Sequence, residues 1–250
     1  MNQKEDKIKF YKPFCSFSFI TLFLTPQPLE PSNPSWGGSY AGVMAGYEVG
    51  AAKIIASGEP TYSNNLGFEG KGAEFVFGYG KSFNKYYLGL ETSFAAFNTH
   101  GKSTIQSDTP CRGELVLFST KITKKDSVGF FVRTGYHPTD ESLLYAKFGI
   151  VSSQFNFNLK NEYSCHHSPY DYSFNYKKRL KGFSTGLGAE IKLTQVFLGR
   201  IEVSHIKYGE KLFGFNLLGI EEYNVPDDFW RTKLKLQSNE IKFGIIAPLD

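Results

Sequence analysis

The chain has 250 residues, with 28 Lys and Arg against 24 Asp and Glu, and 16% of its residues are aromatic. That aromatic content excludes a disordered chain, the absence of a Gly-X-Y period excludes a collagen-like rod, and the interspersed charges exclude a basic nucleic-acid-binding tract. The 25 Gly, 24 Phe and 15 Tyr favour strands and tight turns over helices.

The first segment reads as an export signal. Lys4, Lys7, Lys9 and Lys12 precede an apolar stretch from Phe14 to Leu24. That stretch fits a secretory signal and is too short to cross a bilayer as a helix. Pro26, Pro28, Pro31 and Pro34 then prevent any helix from continuing. Residues 1–35 are therefore assigned to a signal peptide and a Pro-rich lead, and residues 36–250 to one barrel domain. No other segment is apolar enough for a membrane helix. Cys15 lies at the start of the apolar stretch, where a lipoprotein cysteine would not sit. Cys111 and Cys165 fall in polar segments; a disulfide and two free thiols both remain open.

From Ser39 onward the apolar residues recur every second position, which is the strand period. Eight such runs follow in order: Ser39 to Gly50, Gly72 to Lys81, Lys85 to Asn98, Ser127 to Tyr136, Ser142 to Asn156, Gly182 to Leu193, Val196 to Tyr208 and Ser238 to Ala247. Each is longer than an ordinary globular strand and suits a tilted strand crossing a bilayer. The connections alternate. Short turns lie at Ser82 to Asn84, His137 to Glu141, and Thr194-Gln195, while polar segments of about 17 to 28 residues join the remaining pairs. That alternation is the pattern of short periplasmic turns and long extracellular loops.

The two faces of the runs differ. One carries Glu48, Glu74, Glu91, Glu190, Glu202 and Glu240 with Arg133, Lys147, Lys192, Arg200 and Lys242. The same face is rich in glycine, as at Gly42, Gly78, Gly149 and Gly188. The other face is bulky and aromatic. Glycine makes room where side chains converge inside a narrow barrel. The charged face is therefore predicted to line the lumen, where near-balanced charges would pair and fill it. The apolar face would meet lipid, with Tyr79, Tyr86 and Tyr136 as a periplasmic aromatic girdle.

These residues resemble a known group. Trp36-Gly37-Gly38-Ser39-Tyr40-Ala41-Gly42, followed by Ala45-Gly46-Tyr47, resembles the opening of opacity-type, porin-family outer-membrane proteins. Phe77-Gly78-Tyr79-Gly80 with Tyr87 to Glu91, Arg133 to Tyr136 with Leu144 to Gly149, and Gly186 to Glu190 with Arg200 to Val203 resemble their later hairpins. Such proteins are similar to the OmpA transmembrane domain. The resemblance implies an eight-stranded antiparallel up-and-down transmembrane β-barrel in the bacterial outer membrane, without enzymatic activity. Members often serve as surface antigens, adhesins or envelope-stabilising proteins. The closing Ile246-Ala247-Pro248-Leu249-Asp250 departs from the terminal aromatic that such barrels present for assembly.

No catalytic, cofactor-binding or metal-binding residue is assigned. The Ser-elbow, zinc-protease and P-loop signatures are absent. His166-His167 beside Cys165, with Asp171 near, is a metal-like cluster that reads as a polar loop. His100, His137 and His205, with Asp108 and Asp140, have no spacing that joins them into a catalytic set. The second, third and fourth long segments, Thr99 to Thr123, Phe157 to Lys181 and Gly209 to Gln237, are the expected contact loops. The third loop carries Tyr163, Tyr170, Tyr172, Phe174, Tyr176, Lys177, Lys178 and Arg179. The fourth carries Glu221, Glu222, Asp227, Asp228, Phe229, Trp230 and Arg231. Tyr, Trp and Arg are efficient contact residues. The expected partners are outer-membrane lipid and lipopolysaccharide, and host or envelope surface components reached through the loops, with no nucleic acid and a monomeric barrel. The alternatives are a narrow porin-like channel and a soluble lipocalin-like ligand-binding barrel.

Overall fold

The computed structural model describes residues 36–57, 62–108, 115–163, 171–214 and 231–249. The signal and lead segment, all three cysteines and His166-His167 lie outside them.

Period-two patterning produces strands throughout. They are β1 Gly38–Ser57, β2 Tyr62–Phe83, β3 Tyr86–Asp108, β4 Leu115–Thr139, β5 Ser142–Tyr163, β6 Asp171–Lys192, β7 Leu198–Tyr208, β8 Lys211–Gly214 and β9 Arg231–Pro248. Each pairs antiparallel with its neighbour, and β1 pairs with β9 from Tyr40↔Pro248 to Ser57↔Arg231. That pairing closes the sheet and leaves the wall no free edge. The short β8 pairs with β9 beyond the end of β7, so it extends the seventh wall strand past Gly209-Glu210. The result is the expected eight-stranded up-and-down barrel.

The short turns lie at one end. Phe83 pairs with Tyr86, and Asn84 takes a positive φ of 54° in the two-residue turn, a conformation asparagine tolerates. Between β6 and β7 the Thr194 hydroxyl accepts hydrogen bonds from the backbone N–H groups of Val196 and Phe197, at 3.2 and 3.1 Å.

At the opposite end the strands run much further than expected. β3 continues to Asp108, β4 begins at Leu115, β5 reaches Tyr163 and β6 begins at Asp171. Most of the segments read as loops at 99–123 and 157–181 is therefore paired wall. The wall can continue above a bilayer because its backbone groups remain paired and its inner face there is apolar.

A bulge divides β4. Lys124 pairs with Phe155 but Ser127 with Ser153, so Lys125 and Asp126 oppose Gln154 alone. Below the bulge the odd positions Ser127, Phe131 and Arg133 are buried; above it the even positions Thr120, Ile122 and Lys124 are. Asp126 is turned outward at the bulge and forms an ion pair with Arg179 of β6.

Candidate functional site

The lumen is stacked in three layers. The layer nearest the short turns is aromatic and aliphatic: Tyr40, Met44, Val76, Leu198 and Ile246 form one cluster, and Tyr87, Leu143 and Tyr145 another. Trp36 packs against both. Its indole Nε1 donates to the Asp140 carbonyl at 2.9 Å, and its own carbonyl accepts from the Ser82 hydroxyl at 3.0 Å. The Trp36 ring lies 5.1 Å from that of His137. Trp36 thus caps the periplasmic mouth, tying the entry to β1 to two of the barrel's turns.

The glycines of this end have a steric role. A Cβ at Gly78 would meet the Tyr40 ring, and at Gly188 it would meet the Tyr145 ring. Each tyrosine lies flat over a neighbouring glycine, which lets large rings fit inside eight strands.

The middle layer is charged. Five cations, Lys124, Arg133, Lys147, Arg200 and Lys242, meet six carboxylates, Glu48, Glu74, Glu91, Glu190, Glu202 and Glu240, in one continuous network. Glu91 is its hub, accepting Arg200 at 2.6 Å, Lys147 at 2.8 Å and Arg133 at 3.4 Å. Glu190 pairs with Arg133 and, at 2.7 Å, with Arg200. Lys147 and Lys242 reach Glu202 at 3.1 and 3.3 Å. Lys242 also reaches Glu74 at 2.7 Å and Glu240 at 3.1 Å. Lys124 joins Glu240 at 3.0 Å to Glu48 at 2.8 Å. All eight wall strands contribute.

Aromatic rings line this layer from both sides, Tyr145 from the turn side and Phe131 from the upper cluster. The Arg133 guanidinium stacks 3.9 Å from the centroid of Tyr145, and Lys147 lies 4.0 Å from that of Phe131. Desolvated cations gain substantially from such faces. Arg133 donates to the Tyr40 hydroxyl at 2.8 Å, and that hydroxyl donates to Glu91 at 2.9 Å. A cavity of about 10 Å³ lies in this layer between Glu74, Ser93, Glu202 and Lys242, no more than one water needs.

The upper layer is apolar. Leu66, Phe68, Ile122, Phe155, Leu180, Ile206, Tyr208, Leu234 and Leu236 form a buried cluster above the charges. Phe155 is its centre, edge-on to Tyr208 at 5.1 Å and stacked with Phe157 at 6.2 Å.

Ten of the eleven charges expected in the lumen are there and buried. The exception is Lys192, which lies near the turn end with its ammonium 5.8 Å from the Trp36 ring centroid. Its place in the network is taken by Lys124, which the sequence pattern put in a loop. The β4 bulge reverses parity, so counting back from Arg133 by twos puts Lys124 on the wrong face. The signal available was the neighbouring apolar positions Ile122 and Phe118, which share its parity.

Outside, the wall is apolar over the height of the charged layer. Ile150, Leu187, Leu90 and Phe243 are each more than 60% exposed. From Tyr86 to Phe94 on β3 this belt rises about 20 Å, close to the apolar band of a membrane barrel. Tyr79, Tyr86 and Tyr136 face outward beside the short turns, with Tyr86 and Tyr136 5.9 Å apart edge to face. A soluble barrel would carry its charges on this outer surface, and an exposed apolar belt this large belongs in lipid.

His100, His137 and His205 are separated. His137 sits at the turn end, with ring nitrogens 3.0 Å from the Ser82 hydroxyl and 3.1 Å from the Ser142 carbonyl. His205 faces outward on β7, and His100 outward on β3. Among the described residues no cluster of three or more His, Cys, Asp or Glu is arranged for a metal.

A closed antiparallel barrel of eight membrane-length strands, apolar outside and charged within, defines an outer-membrane β-barrel protein. The sequence matches the family model of the outer membrane protein beta-barrel domain over residues 17–238, and the chain belongs to that family. Its location is the outer membrane. No curated protein matches it. Solved structures with a similar fold include the outer membrane protease OmpT of Escherichia coli, 10% identical over 84% of this chain and 96% of that one, TM-score 0.48. Others are Ail, the attachment invasion locus protein of Yersinia pestis (12% identity, 83% and 99%, TM-score 0.32), and Neisserial surface protein A (12%, 82% and 97%, TM-score 0.35).

Proposed function

We propose that the protein is a non-conducting, non-enzymatic barrel that supports the envelope and carries contact surfaces outside the cell. The observation behind the closed lumen is the charge network. Eleven ionised side chains from all eight wall strands span the lumen, with aromatic layers on both sides of them. Opening a path through it would separate buried ion pairs, and each carboxylate or cation left alone there is costly. A role in surface interaction is supported by how far the wall rises above the belt. On the longest strands it continues about 30 Å beyond the apolar band. It carries exposed Lys177, Lys178, Arg179 and Tyr176 on β6.

Planar-bilayer recording tests the first part. Purified protein inserted at low density is expected to give no steady conductance, and a steady conductance of any size would overturn the closed lumen, a small one establishing the narrow-channel alternative instead. Replacing residues 164–170 with a short Gly/Ser linker tests the second. Binding to cell or matrix surfaces should fall while the boiled and unboiled gel mobilities still differ; unchanged binding would remove that segment from the proposal.

A further inference from the structure

One row of the lipid-facing wall breaks the apolar belt. Phe148, Thr185, His205, Asn239 and Val49 stand opposite one another on β5, β6, β7, β9 and β1. The row toward the periplasm holds Leu187, Val203, Ile241 and Tyr47. The row away from it holds Ile150, Phe183, Lys207, Gln237 and Ala51. Because Thr185, Val203 and Asn239 are small between larger neighbours, the wall is hollowed there into a groove of about 520 Å³. That size is within the range of small-molecule sites, about 300–1,000 Å³.

The floor of the groove is polar at one place. His205 Nδ1 lies 2.8 Å from Asn239 Oδ1. Because Asn239 Oδ1 only accepts, Nδ1 is the donor of that pair, and in the neutral ring Nε2 is left as an acceptor. A polar group facing hydrocarbon is costly unless a donor meets it. Above the pair the outward charges are basic. Lys207 follows His205 on the same face, Lys181 is exposed on β6, and Lys53 of β1 stands opposite Lys235 of β9. Against these lysines and Lys233 stand two carboxylates, Glu69, which accepts the neutral Tyr47 hydroxyl at 2.5 Å, and Glu210, which pairs with Lys233 and Lys235, so five lysines face two acids. The uncompensated field is positive, at the depth where Lys207 reaches past the Ile150 and Phe183 row to the headgroups.

We propose that this groove binds a phosphorylated glycolipid of the outer leaflet. One acyl chain lies along Phe148, Leu187, Val203 and Ile241. A sugar hydroxyl or amide N–H donates to His205 Nε2, and the phosphate sits against Lys207 and Lys181. The inference rests on the outer-membrane location and deepens it by naming a site. The groove is continuous with the lipid-facing belt, and its charge complements an anionic headgroup.

Native mass spectrometry of the detergent-purified barrel tests this. The protein is offered equal amounts of lipid A, dephosphorylated lipid A and phosphatidylglycerol. Lipid A should be retained about tenfold over either competitor. Lys207→Leu should remove the preference over the dephosphorylated form, His205→Leu the preference over phosphatidylglycerol, and Thr185→Trp should abolish retention by filling the groove. Lys102→Leu, on β3 across the barrel, should change nothing. Equal retention of all three lipids, or retention unchanged by Thr185→Trp, would overturn the site. A dimer in lipid-free samples that Thr185→Trp disrupts would also overturn it, because the groove would then be a contact between barrels. Each variant is first checked for heat-modifiable mobility and vesicle insertion. Loss of either in the wild type would count against the membrane barrel itself, separately from the lipid site.

Discussion

The barrel within the apolar belt and the barrel above it have opposite interiors. Within the belt the inner positions are Glu48, Glu91, Arg133, Lys147 and Arg200, while Phe75, Leu90, Phe148 and Ile201 face out. Above it the inner positions are Leu66, Phe68, Phe155, Leu180 and Leu234, while Lys53, Lys71, Lys121 and Lys235 face out. The strands are continuous across the change and the backbone pairing is the same. What changes is the solvent outside. Where lipid surrounds the wall, the hydrophobic requirement falls on the outer face and polarity is confined inside. Where water surrounds it, the wall buries its apolar side in the ordinary way. One chain thus shows two folding regimes along a single axis.

The comparison is broken most severely at the network's hub. In Glu91→Ala, Arg133, Lys147 and Arg200 lose their shared carboxylate inside the lumen. Removing one partner of a buried ion pair costs about 3–5 kcal/mol. The expected outcome is a large fall in the urea midpoint for loss of the fast-migrating folded band, with the periplasmic half destabilised as well. If the midpoint does not move, the charged layer does not hold the barrel together.

In the upper region the corresponding change is Phe155→Ala, which leaves a void among Phe68, Phe157 and Tyr208. Truncating a buried Phe costs about 3–5 kcal/mol, and the lower end is expected because the cluster borders the water-exposed part of the wall. Here the loss should be local. Limited proteolysis should cut the upper strands while the gel shift persists, because the belt and the charged layer are untouched. Simultaneous loss of the gel shift would show that the two regions fold as one unit.

The outer face is tested by moving a charge across the boundary. Phe243→Arg puts a guanidinium in the middle of the belt and should cost about 2–4 kcal/mol in a bilayer, whereas Lys235→Leu above the belt should cost far less. Refolding into vesicles with urea titration reads both. Equal effects at the two positions would place the bilayer elsewhere on the wall.

The same inversion explains what was legible in the sequence. Within the belt every strand alternates charged or small with bulky apolar residues, and that pattern alone placed Glu74, Glu190 and Glu240 in the lumen. Above the belt the strands still alternate, but the apolar residues change parity. On β9, Ile241, Phe243 and Ile245 face out, yet Leu234 and Leu236 share the inward parity of Glu240 and Lys242. Read for one apolar face, Lys233-Leu234-Lys235-Leu236 has the wrong phase and passes for a polar loop. Lys124 was hidden by a second effect, the bulge that reverses β4. Trp36 was visible only as part of a motif, because its cap depends on turns distant in sequence.

The smallest expected effect concerns the joint between β7 and β8, which lies above the belt. Lys233 and Lys235 clamp Glu210 at 2.5 and 2.8 Å, and their hydrogen bonds hold its carboxyl at about 2, below the usual carboxylate value. A depressed folded-state value means that the clamp contributes fully above the unfolded carboxylate value, about 4.3, and loses its contribution as pH falls through about 2. Because Glu210 is exposed, salt screens the clamp and its contribution is small. Hydrogen exchange of the β8 and β9 amides should therefore be flat from pH 7 to about 5, after correction for intrinsic rates, and protection should fall progressively from about pH 4 to about 2. Glu210→Gln should show the low-pH behaviour at every pH, with the gel shift and the lumen network unaffected. Protection in the wild type that matches Glu210→Gln at every pH would mean that the lysines do not hold Glu210. The extension of β7 into β8 would then depend on its pairing with β9 alone.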